Sequence, residues 1–164
     1  MRKRNIVGEQ HPEILSIGET LIDLIADTEQ VSLSESRSFH MYPGGQATNV
    51  ALNVSRLGAS AVLVAQVGDD TFGRYLHHLL ETAGVETAYL YTTPHIPTTL
   101  VVVTRHSATP DFAVYRGADA EMVPGDMPLS LLSRISLVGL IHTSVTPVAE
   151  AFLCVSSNTI LPRK

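Results

Sequence analysis

The sequence predicts an α/β fold, a parallel sheet flanked by helices with a small antiparallel β-flap, and three observations carry the prediction. Residues 61–67 are almost all apolar and β-branched, the pattern of a strand covered on both faces. Two stretches with apolar residues at helical spacing alternate with such strands, so the order reads strand, helix, strand, helix, as in a parallel sheet. Between residues 88 and 116 the rhythm breaks into short β-like runs separated by Pro94, Pro97 and residues 107–111, which predicts an antiparallel flap.

Along the chain, residues 1–12 carry no periodicity and end at Pro12, so a loose leader is expected there. Ile14-Leu15-Ser16-Ile17-Gly18 and Leu21-Ile22-Asp23-Leu24-Ile25 read as two strands or one bent strand, with Asp23 a charge inside an apolar run. Residues 30–38 are polar and Ser-rich, a loop, and Phe39-His40-Met41-Tyr42 is a strand that Pro43 is expected to stop. The stripe Ala47, Val50, Ala51, Val54 and Leu57 predicts a helix closed by Gly58. A second stripe, Phe72, Leu76, Leu79, Leu80 and Ala83, follows the capping residues Asp69, Asp70 and Thr71 and stops at Gly84. In the expected flap, 89–91, 98–104 and 112–115 are the strands. Residues 130–135 are predicted to form a short helix, 137–142 another buried strand and 148–155 a last helical segment, with an irregular tail at 154–164.

Composition narrows the function. A chain of 164 residues makes one domain that buries about two-thirds of its surface. With a formal charge of −5 it has no basic face for nucleic acid. No apolar run approaches the roughly 18 residues that span a bilayer. Arg2-Lys3-Arg4 is not followed by the apolar stretch of a secretory signal, and the single cysteine, Cys154, cannot close an internal disulfide, so a reducing cytoplasm is expected. The seven histidines show no metal-ligand spacing. Asn53-Val54-Ser55 is a glycosylation sequon inside a predicted helix and is read as chance.

The candidate site centres on Gly44 and Gly45, between a strand end and a helix start, where backbone N–H groups and the positive end of the helix dipole point outward. The pair serves either a tight turn with positive φ or the close approach of a ligand to the backbone. Asn49, in the first turn of that helix, offers a donor and an acceptor to a polyol. Asp23 is either an acceptor for hydroxyls or an ordinary strand-end carboxylate.

Gly44-Gly45-Gln46-Ala47-Thr48-Asn49-Val50-Ala51, six residues, Gly58, nine residues and Gly68 resembles the first signature of the ribokinase-like (PfkB) carbohydrate kinases in residues and spacing. Ile17-Gly18-Glu19-Thr20-Leu21-Ile22-Asp23 looks like that family's opening strand with its sugar-binding aspartate. Val67-Gly68-Asp69-Asp70-Thr71-Phe72-Gly73 is similar to its turn after the third strand, and Tyr115-Arg116-Gly117-Ala118-Asp119-Ala120 resembles the fructokinase and ketodeoxygluconate kinase branch. The resemblance covers nearly the whole chain and implies a Rossmann-like sheet with a β-flap that closes over a sugar. Residues 13–153 would be the amino-terminal part of a carbohydrate kinase domain, with flap segments at about 19–43 and 88–118. It implies transfer of the γ-phosphoryl of ATP to a sugar hydroxyl, with Asp23, Gly44, Gly45 and Asn49 holding sugar hydroxyls. Arg116 is either a flap residue that contacts substrate or a solvated hairpin arginine. A homodimer through the flap is a further expectation of the resemblance.

Family members are roughly twice this length, and their second half supplies the ATP pocket and a Gly-Ala-Gly-Asp motif whose aspartate is the catalytic base. ATP and Mg2+ are therefore implied for the full-length family, while the missing parts argue against their binding here. Gly68-Asp69 and Gly117-Ala118-Asp119 fall where the family uses structure or flap, so no catalytic residue is expected in this chain. The patternless tail suggests truncation, leaving the sugar-binding half of a kinase, inactive alone. A non-catalytic sugar-binding or interaction module of the same fold is the alternative. A dinucleotide-binding domain is disfavoured, because Gly18-Glu19-Thr20 does not form a G-x-G-x-x-G turn.

Overall fold

The computed structural model describes residues 14–29, 31–105, 110–122, 135 and 137–141. Its core is a parallel sheet in which β1 (Ile14–Gly18) and β4 (Ala61–Gly68) are central, β5 (Leu90–Thr93) pairs with β4, and β8 (Leu137–Ile141) pairs with β1. The largely apolar run of β4 resolves into two faces. Ala61, Leu63, Ala65 and Val67 pack with Ala51 and Leu52 of α1 (Gln46–Arg56) and Leu76 and Leu80 of α2 (Thr71–Thr82). Val62 and Val64 face the opposite side with Leu15, Ile17 and Met122. Each Val or Leu so buried contributes about 1.5–3 kcal/mol relative to exposure.

The flap is a second sheet in the order β3-β2-β6-β7, formed by β2 (Leu21–Glu29), β3 (Phe39–Gly44), β6 (Leu100–Arg105) and β7 (Phe112–Tyr115). β2 and β3 are antiparallel, as are β6 and β7, but β2 and β6 run parallel in register Asp23 to Val101. The expected wholly antiparallel flap is thus a mixed sheet. Between its two hairpins the chain returns to the core to build α1, β4, α2 and β5, and so long a connection permits a parallel pairing that a short turn does not.

Three further expectations change. The run at 89–91 forms β5 in the core sheet rather than a flap strand, because it follows α2 as the return leg of a strand-helix-strand unit, and an apolar run this short carries no mark of which sheet it joins. Pro43 does not stop β3, which continues to Gly44. Its position at the sheet edge requires no ladder donor. In α1 the buried face is Ala47, Thr48, Ala51 and Leu52, whereas Leu57 caps the helix and is 86% exposed. Thr48 takes a core position because its hydroxyl meets that of Thr20 at 2.8 Å, and a stripe of apolar residues cannot register a buried threonine. The leader at 1–12, the helix expected at 130–135 but for its last residue, the helix expected at 148–155 and Cys154 lie outside the described residues. No helix among the described residues is long and apolar enough to cross a membrane.

Asp70 caps α2 as its sequence position predicts, and it also ties the helix to the start of the flap's second hairpin. It accepts from the Gly73 amide at 2.8 Å, the Thr98 amide at 2.8 Å and the Thr98 hydroxyl at 2.9 Å. Burial opposes its charge, but hydrogen bonds from Thr98, Gly73 and the Phe72 amide outweigh burial and hold the carboxyl below its ordinary pKa. Asp70→Ala is expected to cost about 1–2 kcal/mol in urea denaturation at pH 7. A lowered folded-state pKa stabilises above the ordinary carboxylate value and is lost as pH falls through the folded one. The parent and variant stabilities should therefore converge in acid.

Candidate functional site

Four stretches carry the chain between core sheet and flap, at 18–21, 44–46, 97–100 and 115–118, and side chains and backbone around Glu19 and Thr99 tie them together. The Glu19 carbonyl accepts from the Thr48 hydroxyl at 3.3 Å and lies where a Cβ on Gly45 would be. Its carboxylate, 9% exposed, meets the Arg116 guanidinium at 3.3 Å. Arg116 also contacts Asp119, at 2.9 Å, in the single 3₁₀ turn Ala118–Glu121. Asp119 accepts from the Thr99 hydroxyl, which in turn accepts from the Gly117 amide at 2.7 Å. The Thr99 carbonyl accepts from the Ile22 amide at 3.0 Å, which joins the roots of β2 and β6.

Asp23 lies on the flap face opposite Ile22 and Leu24, whose side chains pack on the core. Its cross-strand neighbours are Tyr42 and Val101. The carboxylate is half-buried and presses on Gly44, where any Cβ would collide with it and with Leu21. No described residue donates a hydrogen bond to it. Burial, and secondarily the negative charge of Glu19, raises its pKa.

The two glycines thus answer to different constraints. Gly44 leaves room for the Asp23 carboxylate, and Gly45, with φ of +95°, carries the chain past the Glu19 carbonyl into the first turn of α1. Gly45 supplies no side-chain cap, and no acidic residue lies in that first turn, whose positive end faces the Asp23 carboxylate side of Gly44. Asn49, one turn along, is exposed, and its backbone N–H donates to the Gly45 carbonyl at 3.0 Å. The structure therefore brings Asp23, Gly44 and Gly45 into contact and sets Asn49 on the adjoining turn. Arg116 stands apart from them, engaged by two carboxylates.

Sequence reasoning missed Glu19, Thr99 and the structural part of Asp119. Glu19 had one signal, an acidic residue directly after a core strand's terminal glycine. An open apolar groove of about 460 Å³, lined by Pro43, Leu52, Tyr75 and Leu79 among others, includes none of Asp23, Gly44, Gly45 and Asn49.

The core sheet with its appended flap is that of the ribokinase-like α/β proteins: a putative ribokinase II of E. coli, 21% identical, superposes with a TM-score of 0.79 over 90% of this chain and 51% of that one. The description "pfkB family carbohydrate kinase" matches residues 11–158, and the chain belongs to that family. The probable fructokinase-3 of Arabidopsis thaliana is 40% identical over 145 residues, 85% of this chain and 42% of the relative. The fructokinase of Solanum tuberosum is 36% identical over the same share of this chain and 46% of its own length. Among solved structures, the fructokinase of Halothermothrix orenii has a TM-score of 0.79 at 28% identity, covering 90% of this chain and 54% of that one. A sugar kinase of Pyrococcus horikoshii in complex with ATP has 0.78 at 33%, covering 88% and 49%. The chain spans about half the length of the curated relatives it matches.

No described group of three or more His, Cys, Asp or Glu is arranged to hold a metal ion, and the sequence contains no Gly-Ala-Gly-Asp.

The raised pKa of Asp23 has a consequence for stability. A carboxyl whose pKa rises on folding favours the native state below its ordinary pKa, and that contribution is lost as pH rises through the folded value. Asp23→Asn is expected to raise Tm by about 2 °C or more at pH 7 and to leave it unchanged in acid, as measured by scanning calorimetry.

Proposed function

We propose that this chain is the sugar-binding part of an ATP-dependent carbohydrate kinase. The observation that carries the reading is Asp23, a half-buried carboxylate to which no described residue donates a hydrogen bond, pressed against Gly44 beside the uncapped start of α1. A carboxylate so placed accepts hydrogen bonds from sugar hydroxyls, and charge-assisted bonds of this kind are the strong ones. Gly44 and Gly45 allow a polyol to approach the backbone, the helix start offers amide donors, and Asn49 supplies both a donor and an acceptor.

Among the described residues, Glu19, Asp23 and Asp119 gather around one arginine, Arg116, a balance that favours an uncharged sugar over a ketodeoxy sugar acid. Fructose is the first candidate, in keeping with the fructokinases among the relatives. Phosphoryl transfer depends on positioning and on charges that stabilise the transferring group, and the described residues offer neither an aspartate base in an anion hole nor a metal site. On this reading the chain binds sugar without turning over ATP by itself. The same observation favours a second reading, a non-catalytic sugar-binding or interaction module of the same fold.

Titration calorimetry with fructose, ribose and ketodeoxygluconate tests the site. Fructose is expected to bind, with no ATP-dependent phosphorylation. Asp23→Asn is expected to weaken binding by about tenfold or more, the loss of one hydrogen bond to a charged group. Unaltered fructose affinity in that variant would refute the assignment, and turnover by the unmodified chain would show that a base lies within these residues.

The flap face that carries Asp23 also exposes Tyr42, Phe112 and Val114, apolar surface that supports pairing of two copies through the flap. Sedimentation equilibrium is expected to show a dimer that Phe112→Lys with Val114→Lys converts to monomer.

A further inference from the structure

We propose that Glu19, Arg116 and Asp119 form a charged latch that holds the roots of the flap against the core sheet, and that Arg116 acts on the Asp23 site through this latch as a positioning residue, without touching the sugar. The inference goes beyond the functional reading above and rests on it only where sugar affinity is concerned.

The geometry carries it. Glu19 sits where the chain leaves the core for β2, and Arg116 sits immediately after β7, where it returns. They are 97 positions apart, yet their side chains meet at 3.3 Å. Asp119, with its side chain 1% exposed, draws the second guanidinium nitrogen to 2.9 Å and, through Thr99, engages the root of β6. One planar cation therefore spans two carboxylates that belong to different roots of the flap. An arginine whose guanidinium is occupied in this way has its charge balanced twice over and is poorly placed to recognise a substrate.

The latch reaches the site through Glu19. Its carbonyl lies against Gly45 and accepts from Thr48, so a shift of Glu19 moves the start of α1. Its carboxylate is the nearby charge that acts on Asp23. Among the described residues, the titratable groups next to Asp23 are Glu19 in the linker and Tyr42 across the strand pair, while β6 presents Val101. Arg116 is the cation that offsets Glu19.

The test compares the parent chain with Arg116→Met and Arg116→Lys, by amide hydrogen exchange without sugar, by carbon-13 titration of the Asp23 carboxyl, and by calorimetry with fructose. Arg116→Met is expected to speed exchange of β2 and β6 amides while those of β4 keep their protection, and to move the Asp23 titration to higher pH. Its fructose affinity should fall by about tenfold, since only the fraction of molecules with the flap seated can bind. Arg116→Lys, which keeps a cation between the carboxylates, should restore most of all three. Unchanged flap exchange with lost fructose affinity would mean that Arg116 touches the sugar, and unchanged exchange with unchanged affinity would mean a solvated ion pair; either overturns the latch. If the parent binds no sugar, the functional reading fails, and flap exchange and the Asp23 titration still decide the latch. Should Arg116→Met not fold, Glu19→Gln removes the same contact and is held to the same exchange result.

Discussion

The structure depends on the meeting of four chain crossings at Glu19. A flap built from two separate hairpins joins the core where β2 leaves, β3 returns, β6 leaves and β7 returns, and rests on it through Ile22, Leu24 and Leu100. Glu19 lies in the first and contacts two of the others, through its carbonyl at Gly45 and Thr48 and its carboxylate at Arg116. Thr99 and Asp119 bring in the remaining one. Polar groups can serve in so dry a place because each is met by another: Thr20 with Thr48, Thr98 with Asp70, Thr99 with Asp119 and Gly117.

That arrangement explains why the candidate site is electrostatically uneasy. Asp23 is raised in pKa by burial and by Glu19, so folding places a carboxylate where its charged form is disfavoured. Side chains that serve only stability are rarely left in this condition; Asp70, with three donors, shows the contrast within the same chain. A ligand rich in hydroxyls would supply the donors that the described protein groups do not.

Membership of the pfkB carbohydrate kinases agrees with both parts of the architecture, and the chain spans about half the length of the curated relatives it matches. Within that span lie the four crossings, the flap and the carboxylate beside the uncapped helix. The carbohydrate-binding reading rests on these, whereas phosphoryl transfer calls for groups that the described residues do not present.

By itself the sequence determined the local elements and the family. Apolar periodicity marked α1, β4 and α2; Asp70 announced its cap; and the spacing of Gly44, Gly45, Asn49, Gly58 and Gly68 carried the resemblance to the PfkB kinases. Those signals are legible because they depend on neighbours within a turn or two of chain. Only the tertiary structure decided that β5 joins the core sheet, that β2 and β6 pair in parallel, that Thr48 faces inward, and that Arg116 is spoken for by Glu19 and Asp119. Each of those outcomes is set by partners tens of residues away, and neither a hydroxyl's burial nor a guanidinium's choice of carboxylate leaves a mark on the periodicity of its own segment.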